Sequence, residues 1–268
     1  MAFAPSTSIR TEKEGRDIMV HFVGAGPGDP ELLTLKGKRL LEEADVIIYA
    51  GSLVNPQLLA YGKPEAEIYN SASMTLDEVV EVMERAEREE KTTVRLHTGD
   101  PSVYGAHREQ MDALDRLGIS YDVTPGVSSF LAAAASLKKE YTLAGVSQTV
   151  ILTRRGGRTG VPEKEKLESL AEHRATMIIF LSVGQIGEVA AELAPSYGWD
   201  TPAAVVCRAS WEDEKIVRGT LKDIAEKVEQ AGITRTALIA VGGFLGDDYE
   251  LSKLYDSAFT HGFRKGTD

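Results

Sequence analysis

The sequence predicts an α/β fold with two α/β domains, a mostly parallel N-terminal sheet and a mixed C-terminal sheet. Short apolar, β-branched runs alternate with amphipathic windows, and glycine-rich turns follow several of the runs. The alternation restarts at Gln148, which indicates a second domain. A chain of 268 residues with 43% hydrophobic content is long enough to bury the cores of two such domains.

The first half contains ten predicted elements with clear boundary signals. Thr75 and Glu78 have the spacing of a capping box, and Gly118 lies where a helix ends in the left-handed conformation. The predicted order is strand 19–24, helix 31–43, strand 45–50, helix 55–61, strand 67–70, helix 75–90, strand 93–98, helix 102–117, strand 120–124 and helix 128–138.

The second half is predicted to form a mixed sheet. Its order is strand 148–153, helix 163–173, strand 176–182, helix 184–197, strand 203–209, strand 214–220, helix 221–231 and strand 236–242. Two of these strands flank the short segment SWED, which is typical of an antiparallel hairpin. The expected organisation is a polar leader 1–18, an N-terminal domain 19–138, a linker 139–147, a C-terminal domain 148–246 and a C-terminal extension 247–268.

Composition excludes several classes of function. The net charge of -11 disfavours a nucleic-acid partner, because such partners require a broad basic surface. No apolar run reaches the about 18 residues of a membrane span, and the N-terminus lacks the apolar region of a signal peptide. The single cysteine, Cys207, lies in an apolar run and fits packing in a reducing cytoplasm. The five histidines form no metal-ligand pattern, so we expect no metal site and a small-molecule ligand.

The first glycine-rich turn differs from a dinucleotide-binding loop. In VHFVGAGPGDPELLTLKG, Asp29 stands where a phosphate would lie, and two prolines remove amide donors. No acid follows the next strand for a ribose. We therefore predict a tight turn that serves a different ligand.

Three turns are expected to line one edge of the first sheet. They follow the first, fourth and fifth strands, and ligands of open α/β sheets lie beyond the carboxyl ends of strands. Asp100 either caps a helix that begins at Ser102, contacts the ligand, or does both. Ser128 and Ser129 have the same two interpretations. Tyr104 and His107 are three residues apart on the predicted helix, facing either solvent or the cleft.

A basic loop lies in the segment ILTRRGGRTG (151–160), which begins in the first predicted strand of the second half. Arg154, Arg155 and Arg158 lie among glycines with no acid nearby in sequence. They form either a solvated surface or a clamp for carboxylates, which arginine binds through two parallel hydrogen bonds.

The ordered motifs resemble a known family. VGAGPGDPELLT, ADVIIYAGSLV, HTGDPSVYGA, PGVSS, a strand ending in FLS, CRASWEDEKIVRGT and TALIAVG span about 230 residues, from Val20 to Phe244. The series resembles the class III S-adenosylmethionine-dependent tetrapyrrole methylases. YAGSLV, HTGDPSVYGAHREQM and QTVILTRRGGRTGVP are most similar to the precorrin-4 C-11 methyltransferases, including those that take cobalt-precorrin-4. A uroporphyrinogen methylase more often has GGDPF at the position where this chain has TGDPS.

The resemblance implies that S-adenosylmethionine lies in a cleft between the domains. Its methionine and ribose parts would be surrounded by Pro27, Thr98, Gly99, Asp100, Val103, Ser128 and Ser129. Its adenine would contact Leu181, Ala209, Thr236 and Ala237. Leu181 replaces the methionine common in the family, a change that conserves volume. A sulfonium is best met by carbonyl oxygens and small apolar side chains, which fits turns rich in glycine.

The implied reaction is in-line transfer of a methyl group to a carbon of the macrocycle. Alignment and exclusion of water supply most of the rate in such a reaction. Asp100, Tyr104 and His97 are candidates for a base that tunes the macrocycle. The three arginines of the basic loop would bind substrate carboxylates, and the family implies a homodimer.

Two alternatives remain open at the level of sequence. A ribosomal RNA ribose methylase has the same fold, although the acidic composition disfavours it. A tetrapyrrole carrier or scaffold without catalysis would also keep the fold. The sequence does not distinguish a metal-free substrate from one that already carries cobalt.

Overall fold

The structure is a computed structural model that describes residues 19–157 and 159–267. The predicted leader 1–18 and Arg158 lie outside the described residues. The chain divides into two compact units. The first unit consists of the chain up to Ala25 together with Leu33–Gly126. The second unit consists of Gly26–Leu32 together with the chain from Val127 onward.

The first unit contains a five-stranded, fully parallel sheet in the order β3-β2-β4-β1-β5. Its elements are β1 (Val20–Gly24), α1 (Leu35–Glu43), β2 (Val46–Tyr49), β3 (Glu67–Asn70), α2 (Leu76–Arg88), β4 (Thr93–His97), α3 (Arg108–Leu117) and β5 (Tyr121–Thr124). A short 3-10 helix, Pro56–Tyr61, stands where helix 55–61 is predicted.

Both faces of this sheet are covered. Val23, Ile47 and Leu96 pack with α1 on one face, and Phe22 and Ile48 pack with α2 and α3 on the other. Buried parallel strands of this kind read as continuous apolar runs rather than as an alternation.

The second unit contains a mixed five-stranded sheet in the order β6-β7-β10-β8-β9. Its elements are α4 (Ser129–Leu137), β6 (Val150–Arg154), α5 (Leu167–Ala171), β7 (Thr176–Phe180), α6 (Ile186–Tyr197), β8 (Pro202–Cys207), β9 (Lys215–Thr220), α7 (Ile224–Gln230) and β10 (Ala237–Val241). Strands β6 and β7 are parallel, and the other pairings are antiparallel.

Several sequence predictions are confirmed. The capping box of Thr75 and Glu78 is present, and Gly118 ends α3 at a φ of 71°. The predicted hairpin is the antiparallel pair β8 and β9. The prediction that a helix starts at residue 102 is wrong, because residues 101–104 form a turn and α3 begins at Arg108.

The division into units differs from the predicted boundaries. Helix α4 and the predicted linker 139–147 pack in the second unit, where the Tyr141 ring stacks on Phe130 and meets Phe244 edge to face. The Thr176 hydroxyl donates to the Tyr141 carbonyl at 2.8 Å. Residues 139–147 are therefore an integral part of that unit, although their polar sequence is typical of a linker. In the described part of the chain, no helix is both long and apolar enough to cross a bilayer.

Candidate cofactor and substrate site

Three turns of the first unit meet at the carboxyl ends of the adjacent strands β4, β1 and β5. A Cβ atom added to Gly24 would lie 2.5 Å from the Gly126 nitrogen and 2.7 Å from the Gly99 carbonyl oxygen. One added to Gly126 would lie 2.2 Å from the same Gly99 oxygen. Contact between the backbones of the turns therefore requires glycine at 24 and 126, before any ligand is considered.

Asp100 connects two of these turns. Its Oδ1 accepts hydrogen bonds from the Ser102 nitrogen, at 2.8 Å, and from the Ser102 hydroxyl, and its Oδ2 accepts from the Gly126 nitrogen at 2.9 Å. Burial opposes ionisation, but these hydrogen bonds outweigh it and hold the pKa of Asp100 below its ordinary value. Asp100 is thus an ionised brace between turns. It does not cap a helix at Ser102, because no helix begins there.

The segment 101–107, which we call the Tyr104 loop, replaces the start of the predicted helix. Tyr104 and Ala106 have φ angles of 55° and 47°, a left-handed conformation that non-glycine residues adopt at a cost. Between them, a Cβ on Gly105 would lie 2.1 Å from the Pro101 oxygen. Tyr104 and His107 therefore do not share a helix face. The Tyr104 side chain is about half exposed, at 47%.

His97, at the end of β4, is buried. Its ring lies 5.9 Å from the Phe22 ring and 5.8 Å from the His107 ring, measured between centroids. Burial, together with the charge of Arg95 and with His107, lowers the pKa of His97 to about 3. The imidazole is therefore neutral and a weak base at physiological pH.

Thr98 presents an unsatisfied polar atom at the same edge. Its Oγ1 is buried and has no hydrogen-bond partner among the described residues. A buried hydroxyl without a partner is costly, so its presence here favours a ligand that supplies one.

Residues 26–32 leave the first unit and pack within the second. The Trp211 indole nitrogen donates to the Pro27 carbonyl at 2.9 Å, and a Cβ on Gly28 would lie 2.1 Å from the Trp211 ring. The Asp29 amide donates to the Ser210 hydroxyl at 3.0 Å, while the Asp29 carboxylate accepts from the Glu31 amide at 2.8 Å. The carboxylate thus occupies the helix start where a phosphate would bind in a dinucleotide loop.

One edge of the second sheet collects left-handed residues that are not glycine. They are Leu181 (φ 55°), Arg208 (φ 51°), Ser210 (φ 69°) and Thr236 (φ 54°). Since β10 is antiparallel to both β7 and β8, the end of β7, the end of β8 and the start of β10 lie at this edge. Ala209 and Ala237 belong to the same segments. Backbone strain of this kind concentrates at functional sites, so we treat this edge of the second unit as a set of candidate residues in its own right.

Hydrogen bonds from neighbouring segments hold that edge. The Ser182 hydroxyl donates to the Phe180 carbonyl at 2.7 Å and accepts from the Arg155 amide at 2.9 Å. Leu181 lies between Phe180 and Ser182 in the chain, and the residue is 72% exposed. The Arg208 amide donates to the Thr236 carbonyl at 2.9 Å. Sequence reasoning assigned no role to Ser182 or Arg208, although the motifs FLS and CRASWEDEKIVRGT contain them.

Ser128 and Ser129 stand at the start of α4. Ser128 is the N-cap residue by position, but its side chain makes no capping hydrogen bond. Its hydroxyl is therefore not used by the helix, although the residue is buried.

The basic loop is more engaged than its sequence indicates. Arg154 donates to the carbonyls of Thr159, at 3.2 Å, and Gly160, at 2.9 Å. Arg155 forms an ion pair with Glu192 of α6 at 2.7 Å. Glu192 is 37 positions from Arg155 in the sequence, and the fold brings the two side chains together. The expectation that Arg155 has no acid nearby therefore holds along the sequence but not in the structure.

Known proteins match this chain over most of its length. The sequence profile of the tetrapyrrole (corrin/porphyrin) methylases matches residues 19–225. This chain belongs to the tetrapyrrole methylase family. It is 62% identical over 248 residues to a cobalt-precorrin-4 C(11)-methyltransferase of Methanocaldococcus jannaschii, covering 92% of this chain and 96% of that protein.

Solved structures agree with the sequence match. A cobalt-precorrin-4 methyltransferase has a TM-score of 0.83 at 48% identity, covering 85% of this chain and 96% of the other. A uroporphyrin-III C-methyltransferase from Thermus thermophilus, complexed with S-adenyl homocysteine, has a TM-score of 0.70 at 34% identity. That match covers 84% of this tetrapyrrole methylase and 98% of the other chain. The family and fold expected from the ordered motifs are confirmed.

Proposed function

We propose that this tetrapyrrole methylase transfers a methyl group from S-adenosylmethionine to carbon 11 of precorrin-4 or cobalt-precorrin-4, in the biosynthesis of the cobalamin ring. The observation that carries the proposal is 62% identity, over almost the full length of both chains, to a relative named for this reaction on the cobalt substrate. The motifs at the carboxyl edge of the first sheet lie within that matched length.

The candidate cofactor residues fall into two groups. In the first unit they are Thr98, Gly99, Asp100 and Val103, and in the second they are Pro27, Ser128, Ser129, Leu181, Ala209, Thr236 and Ala237. The Thr98 hydroxyl has no hydrogen-bond partner among the described residues, and the Ser128 side chain makes no capping hydrogen bond. Both fit contact with a polar ligand without phosphates. When bound, S-adenosylmethionine supplies an electrophilic methyl group.

The side chains of this protein align and shield the reactants in the proposed reaction. Asp100 braces the turn that carries Gly99, which fixes the shape presented to the methyl donor. Among the three proposed catalytic side chains, Asp100 has both oxygens engaged by protein donors, and His97 is buried with a low pKa. We therefore assign positioning roles to Asp100 and His97, and substrate contact to Tyr104.

The substitution Thr98→Val tests the cofactor site, because it should raise the stability of the ligand-free protein and lower its affinity for the cofactor product. In Thr98→Val the unpaired hydroxyl is lost, so the ligand-free protein should gain stability, by about 1 kcal/mol. If the hydroxyl pairs with the ligand, the affinity for S-adenosylhomocysteine should fall by about five- to tenfold. Calorimetry and denaturant unfolding measure the two effects.

Thr93→Val is the matched control for this test. Thr93 is also buried with an unpartnered Oγ1, but it begins β4 and so lies at the opposite end of the strand. The Thr93→Val protein should gain stability without a change in its affinity for S-adenosylhomocysteine. Equal affinity of Thr98→Val and the parent protein would contradict the placement of the cofactor.

The basic loop is proposed to bind substrate carboxylates. Changing Arg154, Arg155 or Arg158 singly to alanine should raise the substrate KM about ten- to a hundredfold, since a charge-assisted pair contributes about 1.5–3 kcal/mol. Affinity for S-adenosylhomocysteine should stay close to that of the parent. Glu192→Gln is the control for Arg155, because it removes the internal ion pair but keeps the guanidinium. If Glu192→Gln and Arg155→Ala raise KM equally, Arg155 acts only by shaping the loop.

Activity itself is tested with methyl-labelled S-adenosylmethionine and precorrin-4, with and without cobalt. Label in the tetrapyrrole supports the proposal, and the ratio of the two rates identifies the substrate. Label in ribosomal RNA would support an RNA methylase, and no transfer to any substrate would support a carrier. We also propose that the protein is a homodimer of the cytoplasm. The single cysteine fits a reducing compartment, and sedimentation tests the dimer.

A further inference from the structure

A buried polar network lies next to the Tyr104 loop in the first unit. The Gln110 side chain, only 6% exposed, donates through Nε2 to the Ala106 carbonyl at 3.1 Å. Ala106 is one of the two left-handed, non-glycine residues of the loop. This hydrogen bond therefore ties the strained part of the loop to helix α3.

Arg95 fixes the orientation of the Gln110 amide. Its Nε donates to Gln110 Oε1 at 3.0 Å, so the amide nitrogen must point towards Ala106. The same guanidinium donates through Nη1 to the carbonyls of Ile48, at 3.3 Å, and Leu96, at 3.4 Å. Arg95 is thus anchored to β2 and β4 while it holds Gln110.

The burial of Arg95 is costly. The residue is 6% exposed, and no carboxylate among the described residues forms an ion pair with it. Burial lowers the pKa of the guanidinium to about 10, which still leaves it charged at neutral pH. Its register partners in the sheet, Phe22 and Ile48, are fully buried and apolar, and an apolar residue at 95 would avoid the desolvation cost. Sheet packing alone therefore does not account for an arginine here.

The loop that this network holds carries a half-exposed side chain, Tyr104, at the edge proposed to meet substrate. A left-handed tyrosine and alanine persist only where surrounding contacts outweigh their cost. We propose that Arg95 and Gln110 are positioning residues that hold the Tyr104 loop in the conformation required for methyl transfer. This inference rests on the proposed function.

Two variants of Gln110 separate its two hydrogen bonds. Gln110→Met keeps the approximate shape and loses both bonds. Gln110→Glu keeps an acceptor for Arg95, forming a buried ion pair, but has no donor for the Ala106 carbonyl. Both variants should lower kcat at least tenfold, and amide hydrogen exchange at residues 103–107 should be at least tenfold faster. Gln110→Glu should recover melting temperature relative to Gln110→Met without recovering kcat.

Val79→Ala is the control for loss of stability. Val79 is buried in α2 against the core that α2 and α3 share, and it contributes nothing to the polar network. It should lower the melting temperature while kcat stays within twofold of the parent. Parental exchange at 103–107 in both Gln110 variants would overturn the inference, and so would faster exchange with parental kcat. An inactive parent protein would instead refute the proposed function, so the two failures are distinguishable.

Discussion

The carboxyl edge of the first sheet and the edge of the second sheet that carries Leu181 and Thr236 are built in different ways. In the first, the backbones of three turns touch at Gly24, Gly99 and Gly126, and glycine makes that contact feasible. In the second, left-handed positions are occupied by side-chain-bearing residues such as Leu181 and Thr236. The first edge is thus specified by residue type, and the second by hydrogen bonds from other segments.

The two edges should therefore differ in how substitutions change the stability of the protein. At the first edge an added methyl group meets backbone, which cannot move aside. At the second edge the side chains are already present, and the strain is offset by bonds such as that from the Arg155 amide to Ser182. Adding a methyl group at the first edge should therefore destabilise the protein, whereas removing a side chain from a left-handed residue at the second edge should stabilise it.

The largest expected effect is that of Gly126→Ala. Its Cβ would overlap the Gly99 oxygen at 2.2 Å, so the free energy of unfolding should fall by more than about 3 kcal/mol or the protein should fail to fold. Gly187→Ala is the control, because a Cβ there meets nothing within 4 Å. Denaturant unfolding measures both. A loss under about 1 kcal/mol for Gly126→Ala would mean that the turns are not in rigid contact.

The second-largest expected effect is a dependence of stability on pH that arises from His97 in the first unit. The pKa of His97 is about 3 in the folded protein and 6.5 ordinarily, so between these values the unfolded chain binds a proton that the folded chain does not. Stability contributed by neutral His97 is fully present above pH 6.5, and should be lost by about 1.4 kcal/mol per pH unit as pH falls towards 3.

His97→Leu should reduce that dependence. Unfolding at a series of pH values should give a slope smaller by about one proton than in the parent protein. Leu114→Ala, in the same unit, should lower stability at every pH without changing the slope. An unchanged slope in His97→Leu would show that His97 titrates equally in the folded and unfolded states.

The smallest effect, and the one opposite in sign, is expected for Leu181→Gly. A left-handed leucine costs about 1–2 kcal/mol and its side chain is mostly exposed, so glycine should stabilise the protein by up to about 1 kcal/mol after its own entropic cost. Affinity for S-adenosylhomocysteine should fall, since this side chain is proposed to contact adenine. Both are measured by unfolding and calorimetry.

Leu35→Gly is the matched comparison for Leu181→Gly. Leu35 is 88% exposed and begins α1 with helical geometry, so glycine there should destabilise by about 0.5–1 kcal/mol. If both substitutions destabilise the protein, Leu181 does not store strain, and the contrast between the two edges fails.

The sequence by itself determined most of the helices and strands, the type of both sheets, the family and the positions of the glycine turns. Apolar periodicity marks buried strands, and glycine at 24 and 126 marks turns because only glycine permits such close contact. The capping box of Thr75 and Glu78 involves residues three apart, so it is legible without tertiary contacts.

Only the tertiary structure decided the rest, because the deciding contacts join residues far apart in sequence. The Tyr104 loop reads as helix locally, but left-handed residues at 104 and 106, tied to Gln110, delay the helix to Arg108. Arg155 reads as an unpaired cation until α6 supplies Glu192. Leu181 carries no local mark of a left-handed residue, since leucine is ordinary in strands. Its conformation is held by Ser182, whose bond to the Arg155 amide crosses between strand ends.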